Sequence, residues 1–370
     1  MNMEPPGTDS SEQLTSLPDY RRLLIVRLGS MGDVVHALPA AIALRRAFPM
    51  ATLGWIVEER WVELLCTPSE PRSGPRSVRR PIVDRIHTVN TKAWRTSLLS
   101  TQTWERIAAG LSELRAPRYE AAVDFQGAVR SALFARCSGA PEIYGASQPW
   151  ENVASMFYSR QVFVRGEHVV EQNLSLAEAV TRRKLDTPAI EFPCDEAAEK
   201  RCDDWLRREA ITDFVLLNPG AGWGAKQWPP DRYAIVAKRL GEAGMKALIN
   251  FGPGEETLAR TVAAASNGVA QLLRCTITEL IAFTRRARLF VGGDTGPMHL
   301  AAALGVPVVA IFGPTNPRRN GPFGSRSIVL RSASSRTTHQ RHTLPGPGLL
   351  EITPDQVIAA AQQLLGGCHG

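Results

Sequence analysis

Seven short apolar runs limit what this chain can fold into: Leu23 to Arg27, Leu53 to Val57, Ala121 to Phe125, Phe214 to Leu217, Ala247 to Phe251, Leu289 to Val291 and Val308 to Phe312. Most end in a loop containing Gly, Pro or Asp that leads into an amphipathic stretch. Runs that are apolar throughout, with no alternation, need cover on both faces, which parallel sheets wound with helices provide. The class expected is therefore α/β. The runs fall into two groups, one before about residue 180 and one after about 212, with the charged helical stretch "CDEAAEKRCDDWLRREA" (194 to 210) between them. At 370 residues the chain also exceeds what one core normally organises, so two Rossmann-like lobes are expected, their ligand sites facing a cleft at the strands' carboxyl ends.

The ends and the composition narrow the setting. Thr353-Pro-Asp-Gln356 reads as a capping box opening a last helix with Val357, Ile358, Ala361, Leu364 and Leu365 on one face. Residues 1 to 19 are polar and carry neither part of a secretion signal, and are expected to form a loose tail. The longest apolar run, Leu300 to Phe312, holds a Gly and a Pro and is shorter than the ~18 to 20 residues of a membrane span. Six cysteines without C-x-x-C spacing fit reduced thiols in a cytosolic protein. The net charge of +7 attracts polyanions in general. Basic residues concentrate at 71 to 95, where Arg72, Arg76, Arg79, Arg80, Arg85, Lys92 and Arg95 face a single Asp84. That run is either a solvated loop or, with Trp94 in it, a surface for an anionic partner such as a membrane.

Three loops of the second group and one of the first could carry chemistry. In "LLIVRLGSMGDVVHALPAA" (23 to 41) a strand, a glycine turn and a helix start surround Asp33, a carboxylate that would compete with any phosphate for the helix N–H groups. It is either a cap or the mark of a loop that binds something else. "RLFVGGDTGPMHLAAALGVPVVAIFGPTNP" (288 to 317) is a compact β-α-β unit whose helix start offers Thr295 and Gly296 N–H groups, with Asp294 and His299 near the same cleft; Asp294 or Thr295 could equally be a plain cap. "FVLLNPGAGWGAKQWP" (214 to 229) offers a Gly-rich approach to a diphosphate and Lys226 as a point charge. In "LINFGPGEET" (248 to 257), Glu255 or Glu256 could accept from ribose hydroxyls or merely charge a helix start. "DFQGAVRSA" (124 to 132) and "WIVEERW" (55 to 61) are weaker signals. Neither a Walker A loop nor a dinucleotide fingerprint occurs, which disfavours a nicotinamide dehydrogenase; no RNA- or DNA-binding signature occurs either, and no nucleic-acid partner is expected. D-x-D, the metal-holding carboxylate pair of many sugar transferases, is missing.

Taken together and in order, "SMGDVVHALP", "DFQGAVRSA", "NPGAGWGAKQWP", "FGPGEE" and "GGDTGPMHLAAALGVPVVAIFGPTNP" resemble glycosyltransferase family 9, the lipopolysaccharide heptosyltransferases, over about residues 22 to 325. The S-M-G-D-V-x-H form of the first loop looks most like the heptosyltransferase I type. The resemblance implies a GT-B fold: an acceptor-binding lobe over 20 to 190, a nucleotide-sugar lobe over 191 to 350, and a last helix, 351 to 370, packing back on the first lobe. It implies an inverting, metal-independent transfer, without cofactor, of heptose from ADP-heptose to a Kdo residue of the lipid A inner core. It also implies a cytoplasmic protein peripheral on the inner membrane. Asp33 matches the base and Lys226 the lysine near the diphosphate. The resemblance places Gly220, Gly222, Glu255, Asp294, Thr295, Gly296 and His299 on the donor side, and Ser30, Met31, Gly32, His36, Arg60, Gln126 and Arg130 on the acceptor side. Gly220, Ala221 and Gly222 replace hydroxyl residues of some members, and the stretches 68 to 81 and 336 to 348 are additions. The alternative is another GT-B enzyme with a different nucleotide sugar, heptosyltransferase II-like or UDP-sugar-dependent.

Overall fold

The computed structural model describes residues 18–97, 99–338 and 344–366. Most of the expected N-terminal tail, Cys368 and part of the 336 to 348 stretch lie outside these residues.

The first half contributes strands β1 (Arg22–Val26), β2 (Thr52–Glu58), β3 (Arg85–Val89), β4 (Ala121–Asp124), β5 (Glu142–Ala146) and β6 (Arg160–Val162). Between and after them run α1 (Met31–Ala47), α2 (Thr91–Thr96), α3 (Thr101–Arg115), α4 (Val129–Cys137) and α5 (Val169–Thr181). The second half holds α6 (Glu196–Arg208), β7 (Phe214–Asn218), α7 (Pro230–Glu242), β8 (Lys246–Asn250), α8 (Glu256–Ala265), β9 (Ala270–Leu273) and α9 (Ile277–Arg286). It continues with β10 (Leu289–Gly293), α10 (Gly296–Ala303), β11 (Val308–Phe312), α11 (Pro317–Asn320), β12 (Ser327–Arg331), α12 (Pro347–Leu350) and α13 (Pro354–Gly366).

Every strand pairing is parallel, and the two sheets have the orders β3-β2-β1-β4-β5-β6 and β12-β11-β10-β7-β8-β9. Read from its other end, the second sheet repeats the first sheet's 3-2-1-4-5-6 order. In such sheets the winding reverses beside the first strand, and the crevice opened there at the strands' carboxyl ends takes the ligand. The order alone thus points to the loops after β1 and β4 in the first lobe, and after β7 and β10 in the second. Strands β7, β10 and β11 are buried along their whole length, as sheets covered on both faces require.

The lobes meet closely along α1 and α10. A Cβ at Gly32 would lie 2.5 Å from His299 Cδ2, and one at Gly296 would lie 2.5 Å from Met31 Cβ, so only glycine lets the two helix starts approach this far. Beside them Glu63 accepts from the Thr278 backbone N–H (2.9 Å) and hydroxyl (2.6 Å) at the start of α9, where a carboxylate is favoured by the helix dipole.

One expectation is corrected by packing. The capping box of the last helix forms, with Thr353 N donating to Gln356 Oε1 at 2.8 Å. That helix does not cross to the first lobe: Val357, Ile358, Ala361 and Leu364 join the second lobe's core with Val215, Val236 and Val309. Anchors hold the approach to it, since Trp228 Nε1 donates to Ile352 O (3.0 Å) and Arg232 donates to Leu350 O and Ile352 O (2.6 Å each). The basic run at 71 to 95 is part surface and part framework: Arg72, Arg76, Lys92 and Arg95 are exposed, whereas Arg80 is buried. Arg80 is 1% exposed and donates to the carbonyls of Pro71, Gly74, Pro75 and Val83. Arg72 pairs with Glu59 and Arg76 with Asp84, which also holds the buried Arg45. A guanidinium has five donors, and Arg80 spends its own on the backbone of these turns.

Candidate active site

Asp33 occupies the third position of α1. Its Oδ2 accepts from the Ser30 backbone N–H (2.8 Å) and hydroxyl (3.0 Å), while Oδ1 meets Arg27 Nη2 at 2.5 Å. It is therefore a cap, but only with one oxygen. Burial pushes its pKa up, yet the Arg27 charge and then the Ser30 hydrogen bonds outweigh this, and the carboxyl stays below its ordinary value. Arg27 is 6% exposed and also donates to Phe125 O from the neighbouring strand end. The side chain of Asp33 keeps 41% of its surface open.

The β4 loop closes on the β1 loop. Gln126 Oε1 accepts from Leu28 N at 2.9 Å. Buried Asp124 organises the turn, accepting from Gln126 N (2.8 Å), Ser131 Oγ (2.8 Å) and Tyr158 OH (2.7 Å). The exposed Arg130 donates to Thr91 Oγ1 at 3.0 Å, and Thr91 in turn donates to Glu58. Arg60 stacks its guanidinium 4.8 Å from the Trp61 ring centre. Of the remaining first-lobe candidates, Ser30 is exposed beside Asp33, whereas Met31, Gly32 and His36 are buried against α10, at the lobe junction and not on an open acceptor face.

In the second lobe Lys226 Nζ reaches Asp294 Oδ2 at 2.6 Å and Asp294 O at 3.3 Å, with the Trp223 ring 4.7 Å away on its other side. Asp294 Oδ1 receives His299 Nε2 at 3.1 Å. Burial acts to raise the Asp294 pKa, but the His299 hydrogen bond and the Lys226 charge hold it far below the carboxylate range. The β7 loop is shaped by Asn218, whose Nδ2 donates to Gly220 O (2.9 Å) and Thr295 Oγ1 (3.4 Å), and by Asn250, which donates to Asn218 Oδ1 at 2.6 Å. Thr295 caps α10 in extended conformation. The two glutamates separate cleanly. Glu255 lies against Gly220, where a Cβ would sit 2.1 Å from Oε2, and accepts from Gly252 N at 2.8 Å. Glu256 turns to Arg260 (2.7 Å) and Arg274 (2.5 Å). Gly222 faces open space. Among the described residues no group of three or more His, Cys, Asp or Glu side chains is placed to hold a metal ion.

Comparison with known proteins gives this geometry a family. The model of "Glycosyltransferase family 9 (heptosyltransferase)" matches residues 107–346. Lipopolysaccharide heptosyltransferase 1 of Pseudomonas aeruginosa is 32% identical over 324 residues, covering 84% of each chain. The chain belongs to glycosyltransferase family 9. Within that family it is also similar to lipopolysaccharide heptosyltransferase 1 of Escherichia coli K12, at 29% identity over 84% of this chain and 93% of the relative. The solved Escherichia coli heptosyltransferase WaaC with ADP superposes with a TM-score of 0.73 at 26% identity, covering 93% of this chain and 99% of that one.

Two cations of this family 9 chain were missed by sequence reasoning. Arg27 ends an apolar run and reads as strand, although a charge inside such a run is itself a signal. Arg319, half-buried on α11, feels the charges of Asp33, Arg27 and Asp294. It comes from the turn "NPRRN", where nothing local distinguishes it from Arg318.

Proposed function

We propose that this chain transfers heptose from ADP-heptose to a Kdo residue of the lipid A inner core, with inversion and without a metal ion. The reading is carried by the two switch points: one presents an ionised carboxylate with a free face, the other an ammonium and a helix start. Asp33 takes the proton of the acceptor hydroxyl as that oxygen bonds to the anomeric carbon. The bond from that carbon to the β-phosphate oxygen breaks on the opposite side, and ADP leaves with the electron pair. Lys226 and the N–H groups at the start of α10 meet the diphosphate charge, and Glu255 accepts from the ribose. The relatives' names support heptose as the transferred sugar and lipopolysaccharide as its destination, and the ADP in the similar heptosyltransferase structure supports the nucleotide.

No helix among the described residues is long and apolar enough to cross a membrane. Contact with a cytoplasmic-face bilayer then falls to surface groups, and Trp150, Val153 and Met156 are exposed at 61, 55 and 81% beside α4 with Arg130. Flotation with anionic liposomes checks that contact.

The test of the mechanism is Asp33→Asn, which keeps an acceptor for Ser30 but no base. Turnover with ADP-heptose is expected to fall by about 10² to 10⁴-fold, while ADP affinity by calorimetry is retained. Unchanged turnover removes Asp33 from the reaction, and turnover with UDP-sugars but not ADP-heptose replaces the donor.

A further inference from the structure

Four side chains form one line of hydrogen bonds that passes from the second lobe into the first. Lys226 Nζ meets Asp294 Oδ2 at 2.6 Å, Asp294 Oδ1 meets His299 Nε2 at 3.1 Å, and His299 Nδ1 meets His36 Nε2 at 3.0 Å. The last three residues are buried, at 8, 6 and 5% exposure. The protons along the line have one arrangement when both rings are neutral. Ionised Asp294 only accepts, so His299 carries its proton on Nε2; its Nδ1 is then an acceptor, and His36 donates from Nε2.

His36 is held firmly for this task. It sits on α1 one turn after Asp33, and its carbonyl accepts from Asn173 Nδ2 on α5 at 3.0 Å. Its ring packs edge-on to His299 and to His168, with ring centres 4.1 and 5.4 Å away. His168 in turn reaches the second lobe at Gly321 O, 3.1 Å away. Burial first, then the neighbouring His299 and His168, keeps His36 well below the usual histidine pKa, hence neutral. Nothing else in the reaction scheme uses this imidazole.

We propose that His36 is a donor-site positioning residue supplied by the opposite lobe: its Nε2–H fixes the His299 ring, which turns Asp294 onto Lys226. The proposal rests on the reading that Lys226 receives the donor diphosphate. Donor affinity then depends on contact between the lobes, although His36 is expected to touch no part of the nucleotide. A ring that merely fills space predicts something different, because its replacement by another ring would leave the nucleotide's affinity alone.

Three variants separate these cases. His36→Phe keeps bulk and removes the donor; His36→Gln places an amide N–H near the Nε2 position; His36→Asn keeps an amide too short to reach. ADP affinity by calorimetry and KM for donor and acceptor are measured below the melting range of each variant. The Phe and Asn variants are expected to lose about tenfold in ADP affinity and donor KM, the scale of one buried hydrogen bond with its stranded acceptor, with acceptor KM unchanged. His36→Gln is expected to return both within about twofold. Wild-type ADP affinity in His36→Asn or His36→Phe, or an equal loss in His36→Gln, overturns the proposal. If His36→Phe does not fold, the Asn and Gln pair decides. Failure of the wild type to bind ADP would instead overturn the donor assignment, and so is told apart.

Discussion

Replacing Arg27 by methionine removes the cation that faces Asp33 while leaving a chain of similar length in a site only 6% exposed. The guanidinium stands 2.5 Å from Asp33 Oδ1, and its charge holds the carboxyl below its ordinary pKa. Because the Asp33 side chain is 41% exposed, solvent screens the pair, and an ion pair this open is worth about 0.2 to 1 kcal/mol. The sign is fixed by the direction of the shift. A base with a depressed pKa stays ionised, and therefore active, further into acid. In Arg27→Met the acid limb of kcat/KM is expected to begin at higher pH than in the wild type, because the cation that holds the Asp33 carboxyl down is gone. The pair's contribution to stability is present above the unfolded carboxylate pKa and is lost as pH falls through the folded one, so the melting gap between the two proteins narrows in acid. Phe125 O also loses its donor, at a cost of about 1 to 3 kcal/mol, which sets the assay temperature. Initial rates over a pH series with a coupled ADP-release assay give the limb. A folded Arg27→Met whose acid limb coincides with the wild type's would refute the claim that Arg27 sets the ionisation of the reacting carboxylate.

Two further outcomes follow from contacts described above. Glu255→Gln is expected to raise the donor KM several-fold, about the worth of one charge-assisted hydrogen bond, while Glu256→Gln leaves it unchanged because that side chain is turned to Arg260 and Arg274; equal KM values in the two variants would count against Glu255. Gly296→Ala is expected to destabilise the protein by about 1 to 3 kcal/mol in urea melts, since its methyl meets Met31, whereas Gly222→Ala, facing open space, leaves stability unaltered.

The sheets were legible where the physics demands apolar runs and illegible where it does not. The seven runs correspond to β1, β2, β4, β7, β8, β10 and β11, which lie inside the sheets. Of the five strands without such a run, β3, β6, β9 and β12 are the four sheet edges, and an edge strand has one open side and tolerates polar residues such as those of "RQV" and "SIVLR". β5, next to the edge, carries Glu142 and Tyr144, which bond to Tyr20. In the candidate site, Asp33, Lys226, Asp294 and His299 stand out in the sequence because each lies on, or within a turn of helix after, a glycine-bearing loop that follows a strand. The His36–His299 contact was not, since it joins residues 263 apart in the chain and belongs to the packing of α1 on α10. The docking of the last helix escaped for the same reason: its apolar face says that it docks, and only Trp228 and Arg232 say where.

Since α13 stays with the second half, the stretch 182–195 between α5 and α6 is the covalent passage from one sheet to the other. That passage is not a slack linker: Phe192 is buried in the first half's core, Leu185 and Ile190 pack against it, and Cys194 N donates to Val78 O at 2.9 Å. Parting the halves would also expose Leu280, Ile281 and Leu300, which are buried in the same apolar cluster as Val34, Val35 and Leu38 of α1, so the junction resists opening as a core does.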